Sequence, residues 1–109
     1  MRVKLKTRCR DRAELGCRLS GDKIYTVLGI ESQYYRLIDE EAEPHLYPSE
    51  MFDLVDPVEP TQWVREYEDG EVFAYPPPLN RPGFFEDYHD GDQDTIREFW
   101  QYISRNQRV

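Results

Sequence analysis

The sequence predicts a mainly β fold of the α+β kind: a small β-barrel over residues 1–56, then a β-hairpin and one C-terminal α-helix. Three observations predict it. Short runs rich in β-branched and aromatic residues recur between residues 24 and 55, punctuated by turn-forming clusters. Asp69-Gly70 stands between two further such runs and suits a two-residue type I′ hairpin turn. Ile96, Phe99, Trp100 and Ile103 recur at i, i+3, i+4 and i+7, which is one apolar stripe of a helix. At 109 residues the chain reads as a single domain. Residues 1–56 form the barrel, 57–80 a connector, hairpin and Pro-rich crossover, and 81–109 an acidic loop and the helix. A chain of this size buries roughly 65% of its unfolded surface, so a core without staples is expected.

Met1 to Thr7 alternates Arg2, Lys4 and Lys6 with Val3 and Leu5, a strand with one buried face. Gly21-Asp22 opens the next strand, Ile24 to Ile30. In it Ile24, Thr26, Leu28 and Ile30 share one face, and Tyr25 and Val27 the other. Tyr34 to Asp39 follows. Glu40-Glu41-Ala42-Glu43 suits a solvated turn, and a short strand runs to Tyr47. Pro48 cannot donate to a ladder, so pairing should stop there. A tight turn across Ser49–Met51 leads into a last strand from Phe52 to Val55.

Asp56-Pro57-Val58-Glu59-Pro60 is a stiff connector. The hairpin turn at Asp69-Gly70 sets a register that pairs Tyr67 with Val72, Arg65 with Ala74 and Val64 with Tyr75. Both hairpin faces carry apolar groups, which calls for cover on each side. Tyr75-Pro76-Pro77-Pro78-Leu79 is expected to be polyproline II, either a crossover on the protein's own aromatics or a ligand for another protein. Arg81-Pro82-Gly83 is a turn. Residues 84–94 hold five carboxylates and read as an acidic loop ahead of the helix, where they favour its positive end. Thr95 with Glu98, as a capping box, or Asp94 alone, would cap that helix. Arg105 and Arg108 sit near its negative end.

Composition narrows the function. Net charge is −8, which disfavours nucleic acid and anionic membranes as partners. The charge is uneven: residues 1–23 hold eight Lys/Arg and three Asp/Glu, and residues 24–109 hold six and nineteen. Eight Tyr, five Phe and two Trp argue for a packed core despite the charge. No apolar run is long enough for a signal peptide or a membrane span, which predicts a cytoplasmic protein with Cys9 and Cys17 as reduced thiols. Their spacing fits no common zinc pairing, and His45 and His89 stand alone, so no metal is expected. An EF-hand loop counted from Asp90 would need Gly at its sixth position and Glu at its twelfth, where the chain has Thr95 and Gln101. No Ser or Cys stands in a nucleophile context and no Gly-rich phosphate loop occurs, so no catalytic residue and no cofactor are assigned.

Gly21, Asp22, Tyr34, Tyr35, Arg36, Pro48, Ser49 and Met51 lie in an order that resembles the second half of an SH3-type barrel, over about a third of the chain. The chain lacks the Ala-Leu-Tyr-Asp-Tyr-like opening of that family, and Met51 stands where a Tyr is usual. The resemblance implies a barrel over residues 21–56 and, as one functional alternative, a peptide groove of Tyr34, Tyr35, Pro48 and Met51. In type and composition the chain also resembles small bacterial immunity proteins. That implies an inhibitor of a basic toxin or enzyme, acting by steric and electrostatic masking. Glu86, Asp87, Asp90 and Asp92 would be its acidic rim and Tyr88 its aromatic anchor. A third alternative is a subunit of a larger complex.

Overall fold

A computed structural model describes residues 1–9 and 18–106. The strands are β1 (Arg2–Leu5), β2 (Ile24–Thr26), β3 (Gly29–Glu31), β4 (Tyr34–Ile38), β5 (Pro44–Pro48), β6 (Phe52–Asp56), β7 (Val64–Glu68) and β8 (Glu71–Tyr75). The helices α1 (Phe84–His89) and α2 (Gln93–Asn106) follow. All the pairings are antiparallel, in a three-stranded sheet ordered β2-β1-β6 and a five-stranded sheet ordered β5-β4-β3-β8-β7. The fold is thus mainly β with helices at its C-terminal end, as the residue pattern indicates.

The expected barrel is not closed: the two sheets remain open among the described residues. The chain passes from one to the other in a bent run from β2 to β3 and again through the 3-10 turn Ser49–Met51 between β5 and β6. The strand expected at 24–30 breaks at Val27–Leu28. The Val27 N–H donates to the Met1 carbonyl at 2.9 Å, and the Leu28 N–H to the Arg36 carbonyl at 2.7 Å. Val27 and Leu28 are 2% and 5% exposed, in different clusters. Neighbours on a flat strand point to opposite faces. Burying both requires the backbone to turn from one sheet into the other. Val3, Leu5, Tyr25, Val27, Leu37, Tyr47, Met51 and Phe52 fill the first cluster, between the sheets. Leu28, Tyr75, Leu79, Phe84, Phe85, Tyr88, Phe99 and Ile103 fill the second, where the helices cover the large sheet.

The hairpin has the register that its turn predicts, Val64↔Tyr75, Arg65↔Ala74 and Tyr67↔Val72. Asp69 and Gly70 both adopt positive φ, 51° and 80°, as a type I′ turn requires. The proline segment differs from expectation. Only Pro76 is extended, and Pro77–Leu79 form a 3-10 turn that buries Leu79. Burial of Leu79 among the aromatics decides this, since polyproline II would carry it past the second cluster.

The acidic stretch is not a loop. Phe84, Phe85 and Tyr88 give it an apolar side that folds as α1, bounded by Gly83 (φ 74°) and Gly91 (φ 89°). In α2 the buried line is Thr95, Phe99 and Ile103, with Ile96 and Tyr102 at its edges, and Trp100 is 36% exposed. Neither Asp94 nor a Thr95–Glu98 box caps α2. Asp92 does: its Oδ2 accepts from the Thr95 N–H at 3.0 Å and from the Thr95 hydroxyl. Cys9 is a buried free thiol. Cys17 and Arg108 lie outside the described residues. No helix among the described residues is long and apolar enough to cross a membrane.

Candidate functional site: an acidic cleft

Register alone builds one wall of a cleft. Phe73 on β8 lies opposite Glu66 on β7 and opposite Glu31 on β3. Directly opposed residues of antiparallel strands share a face, so this row reads carboxylate, aromatic, carboxylate. Two residues towards the turn, on the same face, Glu68 lies opposite Glu71. The facing wall is the outer side of α1, with Glu86, His89 and Asp90. Phe73, Tyr75, Phe84 and Phe85 contribute apolar surface to the same cleft, which encloses about 750 Å³.

Arg36 closes the deep end. It is 6% exposed. Its Nε donates to the Tyr75 hydroxyl at 2.8 Å, one terminal nitrogen to Glu31 at 2.9 Å, and the other to the Pro44 carbonyl at 2.7 Å. The Tyr75 hydroxyl in turn donates to Glu31. The guanidinium lies 3.9 Å above the Phe85 ring centre. Burial first, and then the neighbouring Glu31, push the Tyr75 phenol well above the usual range, against the Arg36 charge. Arg36 and Glu31 therefore neutralise each other. Arg81, at the cleft mouth, donates to Asp87 at 2.9 Å and to the Thr95 hydroxyl at 2.8 Å. Glu68, Glu86 and Asp90 have no cationic partner among the described residues, and Glu66 accepts only from the Asn80 amide at 3.3 Å.

The rim residues read from the sequence separate into three roles. Glu86 and Asp90 line the cleft. Asp87 turns to Arg81, beside a shallower recess shared with Asp90, Asp92, Asp94 and Glu98. Asp92 is the cap of α2, and the Thr95 bonds lower its carboxyl. Tyr88 is not an open anchor. It is 7% exposed, it accepts from the Trp100 indole N–H at 3.1 Å, and burial raises its phenol. Of the alternative groove, Tyr34 and Pro48 are cross-strand partners and Tyr34 is 45% exposed. Tyr35 packs on the first cluster, its ring 6.1 Å from Phe52, and Met51 is 2% exposed within that cluster. Met51 faces inward because the 3-10 turn Ser49–Met51 directs it under β6. Glu31, Glu66, Glu68, Phe73 and Arg36 were missed as site residues. The hairpin register carries the Glu66–Phe73 and Glu68–Glu71 pairs, but not the β3–β8 pairing that adds Glu31 and Arg36.

A second polar cluster fastens α1 to β5. Asp39, 4% exposed, accepts from His45 Nδ1 and the Tyr47 hydroxyl at 2.7 Å each, and from the Glu41 and Glu43 N–H groups at 3.0 and 3.2 Å. Burial alone would raise its carboxyl. The bonds from His45, Tyr47, Glu43 and Glu41 outweigh it and hold the group below the usual range. The His45 ring stacks on His89, 5.2 Å apart and 5° from parallel, and His89 Nε2 lies 3.2 Å from the Pro44 carbonyl. Neither imidazole is bonded to a hydroxyl or thiol among the described residues, and no three His, Cys, Asp or Glu there are grouped to hold a metal. The cluster is a mechanical tie between wall and sheet. The chain matches no protein-family model, no curated protein and no solved structure.

Proposed function

We propose that this is a small acidic cytoplasmic binding protein of the immunity type, which neutralises a basic toxin or enzyme by covering it rather than by catalysis. The carrying observation is the set of carboxylates at Glu66, Glu68, Glu86 and Asp90, which have no cationic partner among the described residues and lie on the walls of one concave surface whose two arginines, Arg36 and Arg81, are paired with Glu31 and Asp87. Such walls focus the field and raise the local concentration of a cationic partner. Rim charges speed encounter, and the aromatics beneath hold the complex once formed.

The pairing order supports an SH3-like reading of residues 1–56. β1 lies between β2 and β6, a bent run feeds both sheets, and a 3-10 turn precedes β6. The peptide-binding alternative rests on the exposed Tyr34 beside its half-buried cross-strand partner Pro48. Affinity capture of the native partner, followed by a growth test with that partner expressed, tests the proposal. Glu86→Gln with Asp90→Asn should slow association at low salt and flatten its salt dependence, with little effect on dissociation. An unchanged association rate overturns the masking mechanism. A dissociation rate raised instead by Tyr34→Ala would favour the peptide surface.

A further inference from the structure

We infer that the cleft accepts an arginine side chain of the basic partner, its guanidinium lying on the Phe73 ring between the sheet carboxylates and those of α1. The inference rests on the binding reading above and names what enters the site. Glu66 flanks Phe73 on the sheet, Glu31 on the ring's other side being held by Arg36, and Glu86 and Asp90 face them from α1 and its C-cap. A planar aromatic between carboxylates suits a planar cation that can stack and donate in its own plane. Lysine is a strongly hydrated point charge and gains less from the ring. The protein already solves this problem once, in the lining of the same cleft. Arg36 stacks on Phe85 and donates to Glu31, which shows that this sheet face and α1 together stabilise a guanidinium.

A second observation comes from the hairpin. Glu68 and Glu71 are directly opposed, a like-charge pair that destabilises the free sheet. Glu66 lies two residues along the same face of β7. A cation over this face relieves the repulsion. A neutral occupant would instead bury carboxylates without partners, which is costly. A bare metal ion fits less well, because no three ligands converge among the described residues.

The test is titration of the full chain with L-argininamide at low ionic strength, followed by two-dimensional NMR. L-lysinamide and L-citrullinamide, whose ureido side chain is neutral and nearly isosteric with the guanidinium, serve as controls. Saturable shifts should concentrate at Phe73, Glu66 and Glu86. Argininamide should bind about fivefold more tightly than lysinamide, and citrullinamide should show no saturation. Phe73→Leu should bring argininamide to the lysinamide level. Glu66→Gln with Glu86→Gln should abolish saturation for both, and it serves as the second variant should Phe73→Leu unfold. Equal affinity for argininamide and lysinamide, or shifts scattered over the whole acidic surface, would overturn the inference. The two readings fail separately. Saturable argininamide binding with no basic protein captured keeps the cleft and sinks the immunity reading. A captured basic partner that binds the Phe73→Leu variant with unchanged affinity does the reverse.

Discussion

A Cβ on Gly29 would lie 2.1 Å from Cε1 of Tyr75 and 2.2 Å from Cδ1. The Tyr75 ring reaches Arg36 and Glu31 by lying against bare backbone, so the glycine is required by close approach. Gly29→Ala should therefore cost about 1–3 kcal/mol or more by overpacking, read as a lowered urea midpoint, and should loosen the Arg36 network with it. Wild-type stability would mean that Tyr75 has another place to go. Phe99 and Trp100 are neighbours with different duties. Phe99 is 0% exposed, and Phe99→Ala should cost about 3–5 kcal/mol. Trp100 is 36% exposed and gives its N–H to Tyr88, so Trp100→Ala should cost only about 1–2 kcal/mol. Denaturation of both variants checks the order, and a larger loss at Trp100 would place its ring in the core. The periodicity shows that 96, 99, 100 and 103 share a side. It cannot show where the stripe's centre falls. That depends on Thr95 being drawn inward by Asp92 and Arg81.

At the scale of elements, what was legible is what is local. The hairpin register follows from Asp69-Gly70, and the existence of α2 from its stripe. The missed features are short or distant. α1 has six residues, fewer than two helical turns, too few for its apolar side to stand out as a repeating pattern among its carboxylates. The β3–β8 pairing joins residues more than forty apart, and β3 is hidden within a run that reads as one strand from Ile24 to Ile30, so the cleft floor is not legible in the sequence. The bend at Val27–Leu28 likewise depends on two separate cores. The cap gives the element-scale prediction. Asp92→Ala should speed amide exchange at Thr95 and Ile96 and fray the first turn of α2. Asp94→Ala should not, because among the described residues the Asp94 carboxylate meets only the exposed Arg97. Equal exchange in the two variants would remove Asp92 from the capping role.

For the whole molecule, the direction of the ionisation shifts sets a window of stability. Asp39, Glu40 and Asp92 have lowered carboxyls in the fold. Their contribution is complete above the unfolded values, near 4, and is lost as pH falls through the folded ones. The phenols of Tyr25, Tyr35, Tyr47, Tyr75, Tyr88 and Tyr102 are raised, in each case first by burial. For Tyr25 the rise is to about 12, reinforced by Glu40 and opposed by the Ser20 N–H. A raised phenol stays protonated in the fold after it has ionised in the unfolded chain. Its contribution is therefore present below about pH 10 and lost as pH climbs through the folded value. Between about pH 10 and 12 Tyr25 should steepen the fall by up to about 1.4 kcal/mol per pH unit. Several together make alkaline unfolding cooperative, so far-ultraviolet circular dichroism and the tyrosinate absorbance of these rings should change in one step. Tyr25→Phe should lower stability near neutrality, through the lost bonds to Glu40 and Ser20, yet make the alkaline decline shallower by about one proton. Full ionisation of the buried rings at native circular dichroism, or an unchanged slope in Tyr25→Phe, would show that the aromatic core opens to hydroxide without unfolding.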